Sequence, residues 1–320
     1  MNSLSKESVN WVDVGPEGEG QRVDNFLHRI LKGVPKSHVY RILRSGEVRV
    51  NSRRADPTLR LQPGDRVRVP PIRTAAPTTA APAPTGGAAL PILYEDDALV
   101  AIDKPAGVAV HGGSGISHGV IERLRALRPA APFLELVHRL DRETSGVLML
   151  AKKRRALTQL HEQIRAGQTD KRYLALVPGP WRKGSVTLDF PLAKYLLEGG
   201  DRRVAVSADG QEAATRVRIE RALPGYTLLE ARLLTGRTHQ IRVHLAHAGS
   251  PICGDDKYGD FDLNRRLARE GLKRMFLHAA RFRCLHPSTG DPLDIAAPLP
   301  PELERFVQSL GSATTVGEHP

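Results

Sequence analysis

The chain has 320 residues, enough for one large domain and a smaller companion, and its 47 Lys and Arg outweigh 35 Asp and Glu to give a net charge of +12. Its two cysteines, Cys253 and Cys284, lack CxxC spacing, which excludes a disulfide scaffold and a four-cysteine zinc site. There is no long apolar run and no signal-peptide pattern, so neither membrane insertion nor export is expected.

Residues 1–20 are polar and rich in glycine and read as a flexible lead. From Arg22 the apolar residues Val23, Phe26, Leu27, Ile30 and Leu31 recur at helical spacing, with Asp24 placed to cap or charge the first turn. Ser37, Val39, Tyr40, Ile42 and Leu43 predict a second helix that stops at Gly46. The stretch 47–51 alternates as a strand, a Pro-Gly-Asp turn follows at 63–65, and Val and Arg alternate again at 66–69. Between Gln21 and Pro70 twelve basic residues face four acidic ones, so most of the excess charge sits in this unit. Such a surface attracts polyanions whatever their base sequence; an anionic membrane would feel the same field, and a merely solubilising role remains open.

Residues 71–90 supply little but Pro, Ala, Thr and Gly and predict a semi-flexible linker. The second domain, 91–310, offers strands at 99–102, 146–151, 173–177, 215–219, 226–234 and 279–285. Helices are expected at 117–127, 155–165, 238–248 and 301–310, and 311–320 reads as a disordered tail. Strands outnumber helices without strict βαβ repetition, so the fold class is α+β, with a large mixed, mainly antiparallel sheet.

The densest set of reactive side chains is HRLDRETSG at 138–146, just before a strand. Asp141 and Glu143 share a side on an extended backbone and diverge on a helix, which gives only weak support to a glycosidase-like pair; a charged surface turn is the weightier reading. A second set is GRTHQIRVH at 236–244, where Thr238 could cap a helix carrying His239, Gln240 and Arg242. Arg237 and Arg242 could hold phosphate, or pair with Asp141 and keep it ionised; an ordinary basic helix is the competing reading. Tyr173, on a strand, could stack on a planar base or exchange a proton, although most such tyrosines belong to a core. Cys253 and Cys284 could join His278 or His286 at a metal, but the spacing matches no local ligand pattern. Walker, GxGxxG and HExxH motifs do not occur.

Together these strings resemble the bacterial large-subunit ribosomal RNA pseudouridine synthases of the RluA superfamily. The resemblance rests on HRLDRETSGVLMLAKK from His138, YEDDALVAIDKPAGVAVHGGSG from Tyr94 and KRYLALV from Lys171. GRTHQIRVHLAHAGSPICGDDKYGD from Gly236 and FLHAARFRCLHP from Phe276 complete it, while 21–70 resembles an S4 RNA-binding domain. The resemblance implies that Asp141 is the nucleophile, that Tyr173 stacks on the target base and is a candidate proton acceptor, and that Arg242 salt-bridges Asp141. It implies that Arg139 helps fill the gap left by the flipped base, with His138, Arg237, His239 and Gln240 as further substrate contacts.

RNA contacts are expected from Lys32, Lys36, Arg41 and Arg44 on the helical part of the small domain, and from Arg49, Arg53 and Arg54 beyond it. The implied reaction isomerises uridine without cofactor or metal. The implied partner is 23S ribosomal RNA or its large-subunit precursor, with no membrane and no obligate protein partner, for a cytoplasmic monomer. The strings at 33–37 and 125–129 favour the C type, which modifies three uridines near the peptidyl-transferase region. The D type, acting on an interface helix, and a non-catalytic ribosome assembly factor are the alternatives.

Overall fold

The Val and Arg alternation at 66–69 becomes an interior strand of the small domain in a computed structural model of the protein, which describes residues 8–31, 33–72, 90–112, 119–131, 133–197 and 201–312. The small domain comprises β1 (Asn10–Asp13), α1 (Val23–Ile30), α2 (Lys36–Arg44), β2 (Arg49–Val50), β3 (Arg53–Arg54) and β4 (Arg66–Val69). Its four strands are ordered β1-β4-β2-β3. Val67 and Val69 turn inward to meet Val23, Phe26 and Leu27 of α1 and Val39, Ile42 and Leu43 of α2, which leaves the arginines outside. Gly46 ends α2 as predicted, in the left-handed conformation (φ +76°) that glycine adopts without steric cost.

Two readings of this region are corrected. Residues 8–20 are not a loose lead: β1 pairs antiparallel with β4, and Val14 enters the core. Asp24 charges the first turn of α1, one of its two expected roles, but does not cap it; it is buried as a strut, accepting hydrogen bonds from Arg22 at 2.6 Å and from the Tyr40 hydroxyl at 3.0 Å, so that it ties the two helices together. The linker expected at 71–90 lies, from 73 to 89, outside the described residues, as do Lys32, the first seven residues and the tail beyond Ser312.

The large domain opens with β5 (Ile92–Glu95), β6 (Leu99–Lys104), α3 (Val120–Leu127), β7 (Glu135–Leu136), β8 (Ser145–Ala151) and α4 (Arg154–Arg165). It continues through β9 (Asp170–Pro178), β10 (Val186–Asp189), β11 (Leu192–Leu196), β12 (Arg202–Val206), β13 (Ala214–Leu223) and β14 (Tyr226–Leu233). Then come α5 (Gln240–His247), α6 (Phe261–Arg269), β15 (Leu277–Leu285), β16 (Pro292–Ala296) and α7 (Pro301–Ser312). Ten strands form one sheet, with the path β10-β13-β14-β9-β15-β8-β6-β5 and with β16 and β7 pairing β15 and β8. Every pairing is antiparallel except β15 with β8, so the expected mixed, mainly antiparallel α+β architecture is observed.

Both faces of the sheet are covered. Leu148 and Leu150 of β8 pack toward α3 and α5, while Val147, Met149 and Ala151 pack under α4, which is why a strand of unbroken apolar sequence is buried along its whole length. The parallel junction is narrow, with Ser145 opposite His278 and Gly146 opposite Ala279. A Cβ at Gly146, whose φ is +109°, would collide with the Ala279 backbone, so glycine at this position lets β8 begin where the reactive loop ends. Among the described residues, no helix is long and apolar enough to cross a membrane.

Candidate active site

The loop between β7 and β8 carries Asp141, and its shape is imposed from beneath. Lys104, at the end of β6, is wholly buried and gives its three ammonium protons to the carbonyls of Pro105 (2.8 Å), Val108 (2.8 Å) and Arg142 (3.0 Å). The amide of Gly107 adds a second bond to the Arg142 carbonyl at 2.9 Å, and the Thr144 amide closes a turn onto the Asp141 carbonyl at 3.2 Å. Burial lowers the Lys104 pKa to about 7, with the nearby Arg274 charge acting in the same direction. On the far side of this loop Arg274 donates to Ser145 Oγ at 2.7 Å, and Ser145 in turn bonds His278 Nδ1 at 2.9 Å.

Asp141 faces a cleft of about 340 Å³, whose walls include Tyr173 of β9, Leu277 of β15 and the segment 236–242. Arg242 of α5, 3% exposed, places Nη1 3.5 Å from Asp141 Oδ2. Its principal partner is another carboxylate: Asp255, fully buried, takes Nε and Nη2 in two bonds of 2.7 Å, and Asp256 takes Nη2 at 3.0 Å. Burial pulls the guanidinium pKa down, but the hydrogen bond to Asp255 and the charges of Asp255, Asp141 and Asp256 outweigh it and raise the value above its ordinary level. The expected pairing of Arg242 with Asp141 is therefore a longer contact presented by an arginine already clamped from behind. Tyr258 flanks the same group, with the guanidinium carbon 5.2 Å from the ring centroid.

His239 precedes α5 in the left-handed conformation (φ +53°), unusual for a residue with a side chain, so the helix begins at Gln240 and Thr238 is not its cap. The turn aims Nε2 at Asp141 Oδ2, 3.9 Å away, while Nδ1 lies 2.8 Å from the Tyr258 hydroxyl. That hydroxyl accepts the Val204 amide at 3.0 Å; when it donates to Nδ1, the ring proton is left on Nε2, facing Asp141. Burial lowers the His239 pKa, against the raising effect of Asp141.

Tyr173 is buried in the cleft wall, and burial together with the charge of Asp141 raises its pKa, so the phenol stays protonated near neutrality. Arg139 and Arg237 are exposed at the cleft mouth, where Arg237 Nε donates to the Glu212 carbonyl at 2.9 Å.

Two other expectations are corrected, those for Gln240 and Glu143. Gln240 is buried with all four amide valences engaged, accepting from Thr235 Oγ1 and the Arg237 amide and donating to Ala214 O and Thr215 Oγ1, so it orders the turn and has nothing left for a substrate. His138 lines the cleft as expected; its Nε2 accepts the Met149 amide at 3.2 Å, its ring stacks on Phe282, and burial lowers its pKa to about 3. Glu143 lines a different cavity, beside Arg274, so Asp141 and Glu143 do not form a carboxylate pair.

In the small domain Lys36, Arg41, Arg44, Arg49, Arg53 and Arg54 are all exposed, and none pairs with a carboxylate among the described residues. Arg49 stands directly opposite both Arg54 and Arg68 across the strands, a like-charge arrangement that an external anion would relieve. Cys253 and Cys284 are buried thiols in separate apolar clusters, pushed up by burial to about 12 and about 11 respectively.

Sequence reasoning assigned no role to Asp255, Asp256, Tyr258, Lys104 or Lys171. The run GDDKYGD held a signal for the first three, because adjacent carboxylates just beyond a helix bearing a buried arginine are its natural counter-charges.

A family model described as RNA pseudouridylate synthase matches residues 98–247, and an S4 domain model matches residues 21–67. Ribosomal large subunit pseudouridine synthase C of Salmonella typhi is 52% identical over 311 residues, covering 95% of this chain and 98% of that protein. The protein of the same name from Escherichia coli K12 is 52% identical over 312 residues, covering 96% and 98%. Among solved structures, human RNA pseudouridylate synthase domain containing 4 superposes with a TM-score of 0.56 at 27% identity, over 69% of this chain and 92% of that one.

Proposed function

Because the chain belongs to the RluA superfamily of RNA pseudouridine synthases and carries an S4 domain, we propose that it isomerises uridines of 23S ribosomal RNA to pseudouridine with Asp141 as nucleophile. The observation that carries this reading is a carboxylate facing a nucleotide-sized cleft, 3.5 Å from an arginine that other acids hold in place. The ribosomal substrate is supported by the names of relatives at 52% identity and by the unpaired arginines of the small domain.

A uridine inside a folded RNA must leave its stack before Asp141 can reach it, at a cost of a few kcal/mol that phosphate contacts and aromatic stacking offset. In this scheme the Tyr173 ring receives the everted base and Arg139 enters the space it vacates. Asp141 attacks either C1′ of the ribose or the base, and the N-glycosidic bond opens. The uracil then turns, rejoins through C5 and loses the C5 proton. The reaction consumes neither water nor redox equivalents, so no step draws on a cofactor or a metal.

Within the superfamily we assign the chain to the C type, modifying three uridines near the peptidyl-transferase region, as a cytoplasmic monomer. Mapping pseudouridine in ribosomal RNA from cells with and without the gene tests this. Loss of modification at those uridines is expected, and an unchanged pattern at every large-subunit site would overturn the assignment.

A further inference from the structure

Two lysines are buried among the described residues, and only one has its ammonium satisfied. Lys104 spends its three protons on three carbonyls. Lys171, 9% exposed, makes no hydrogen bond or ion pair with any described residue, and burial alone depresses its pKa. Its sequence neighbour Arg172 points to the other face of β9, where Asp170 at 2.8 Å and Glu230 at 3.4 Å neutralise it.

Lys171 lies two residues before Tyr173 on the same face of β9, and both line the cleft that holds Asp141. Its cross-strand partners, Leu233 and Phe282, are apolar. Nζ sits 3.6 Å from where a Cβ would stand at Gly236, so the glycine keeps the cleft side of the ammonium clear. Asp141, a carboxylate in the lining of the same cleft, is engaged with Arg242. A buried cation without a counter-charge is costly, and here the compensation has to come from what enters the cleft.

We infer that Lys171 is a catalytic residue that donates a hydrogen bond to a carbonyl oxygen of the everted uracil and offsets the negative charge this oxygen gains during the reaction. The inference rests on the pseudouridine synthase reading given above. In the route through C1′, an Asp141 oxygen forms a bond to C1′, the C1′–N1 electron pair departs with the uracil, and the anion is shared by N1, O2 and O4. Rejoining forms the C5–C1′ bond from the uracil's electrons and returns the O–C1′ pair to Asp141. The proton lost from C5 balances the one gained at N1. If Asp141 adds to C6 instead, the C5=C6 pair moves onto O4. Either route loads a carbonyl oxygen, so an ammonium beside it binds the transition state more strongly than the resting base.

A backbone phosphate suits the position less well. Lys171 stands against an apolar floor beside Tyr173, whereas the exposed guanidiniums of Arg139, Arg165 and Arg237 surround the mouth, where a phosphodiester chain would pass.

The test uses the full-length protein and unmodified 23S ribosomal RNA transcript, comparing wild type, Lys171→Met and Lys171→Arg for single-turnover rate, RNA affinity and thermal midpoint. Lys171→Met should lower the rate constant about 10²–10³-fold, the cost of removing one donor to a developing oxyanion. RNA affinity should be unchanged and the midpoint no lower, and Lys171→Arg should recover part of the rate. A Lys171→Met rate equal to wild type overturns the inference. So does weaker RNA binding with a flatter salt dependence at unchanged rate, which would assign the lysine to phosphate, and so does a loss of rate that tracks a loss of stability. Wild type that forms no pseudouridine would instead sink the functional reading, an outcome distinct from an active wild type with an indifferent variant.

Discussion

Replacing Asp255 by Asn probes how the Arg242 guanidinium is held. Asp255 is fully buried; besides its two 2.7 Å bonds to Arg242 it accepts the amides of Lys257 at 2.8 Å and Tyr258 at 3.0 Å. Asparagine keeps the shape and one acceptor but removes the charge that balances a guanidinium only 3% exposed. Breaking a buried ion pair from one side costs about 3–5 kcal/mol, because the remaining charge stays desolvated. In a domain of this size that corresponds to a fall in melting temperature on the order of 10 °C. The released guanidinium has Asp256 and Asp141 left as partners, so it should move onto Asp141 and hold this carboxylate too tightly, lowering the single-turnover rate more than RNA affinity. The pH dependence adds a check. Burial raises the Asp255 pKa, but the hydrogen bond and charge of Arg242, followed by the two amides, bring it below the ordinary 3.8. A carboxylate with a depressed folded pKa contributes stability that is present above 3.8 and lost as pH falls through the folded value, so the variant should lose less stability than wild type on acidification below that point. Thermal unfolding followed by circular dichroism from pH 7 to pH 3 measures both effects. A variant that melts with wild type at neutral pH and keeps its rate would refute the idea that Asp255 is the principal anchor of Arg242.

Asp141→Ala should abolish pseudouridine formation while RNA affinity changes little; retained turnover would remove Asp141 from the role of nucleophile. Replacing Arg49, Arg53 and Arg54 together by Ala should weaken RNA binding and reduce the slope of log affinity against log salt by about two to three, at about 0.7–0.9 per lost phosphate contact. An unchanged slope would mean that the RNA does not use this face. His278 is fully buried and His138 half-buried, and desolvation lowers their pKa values to about 4 and about 3 respectively, against an ordinary 6.5. Each is therefore neutral when folded and takes up a proton on unfolding, so stability should decline as pH falls from 6.5 toward 4. NMR titration should find neither imidazole charging above pH 5, and a normal midpoint for either would contradict the packing described.

The elements legible in the sequence were those whose periodicity matches one-sided or complete burial. The spacing of Val23, Phe26 and Leu27 announces α1, and the run at 147–151 announces a strand covered on both faces. Missed elements gave weak periodic signals. The β11–β12 hairpin leaves Tyr195 and Leu196 exposed, and α6 rests on just Leu263 and Leu267, held by an Asp260 cap that accepts the amides of Asp262 and Leu263. β1 was hidden because it has four residues and only alternate burial, so its order comes from pairing with β4, a partner more than fifty residues away in the chain.

The site divides in the same physical way. Asp141 and Arg242 could be singled out because a short dense string carries each, but their relation depends on distance in space. A sequence offers Arg242 several acids and cannot rank Asp141 at 3.5 Å below Asp255 at 2.7 Å. Gln240 shows the converse error: a polar side chain in a reactive string looked like a substrate contact, yet its hydrogen-bonding capacity is consumed in holding the turn that aims His239. Lys104 and Lys171 sharpen the point, since both are lysines on strands and both are buried, but three carbonyls saturate one and none reaches the other. What separates a framework charge from a charge reserved for a reaction is whether the fold itself completes its hydrogen bonds. By that criterion Arg242, clamped by Asp255, is a framework charge of the cleft, whereas Lys171, which lines the same cleft without a partner among the described residues, is the one that fits the reactive role proposed for it.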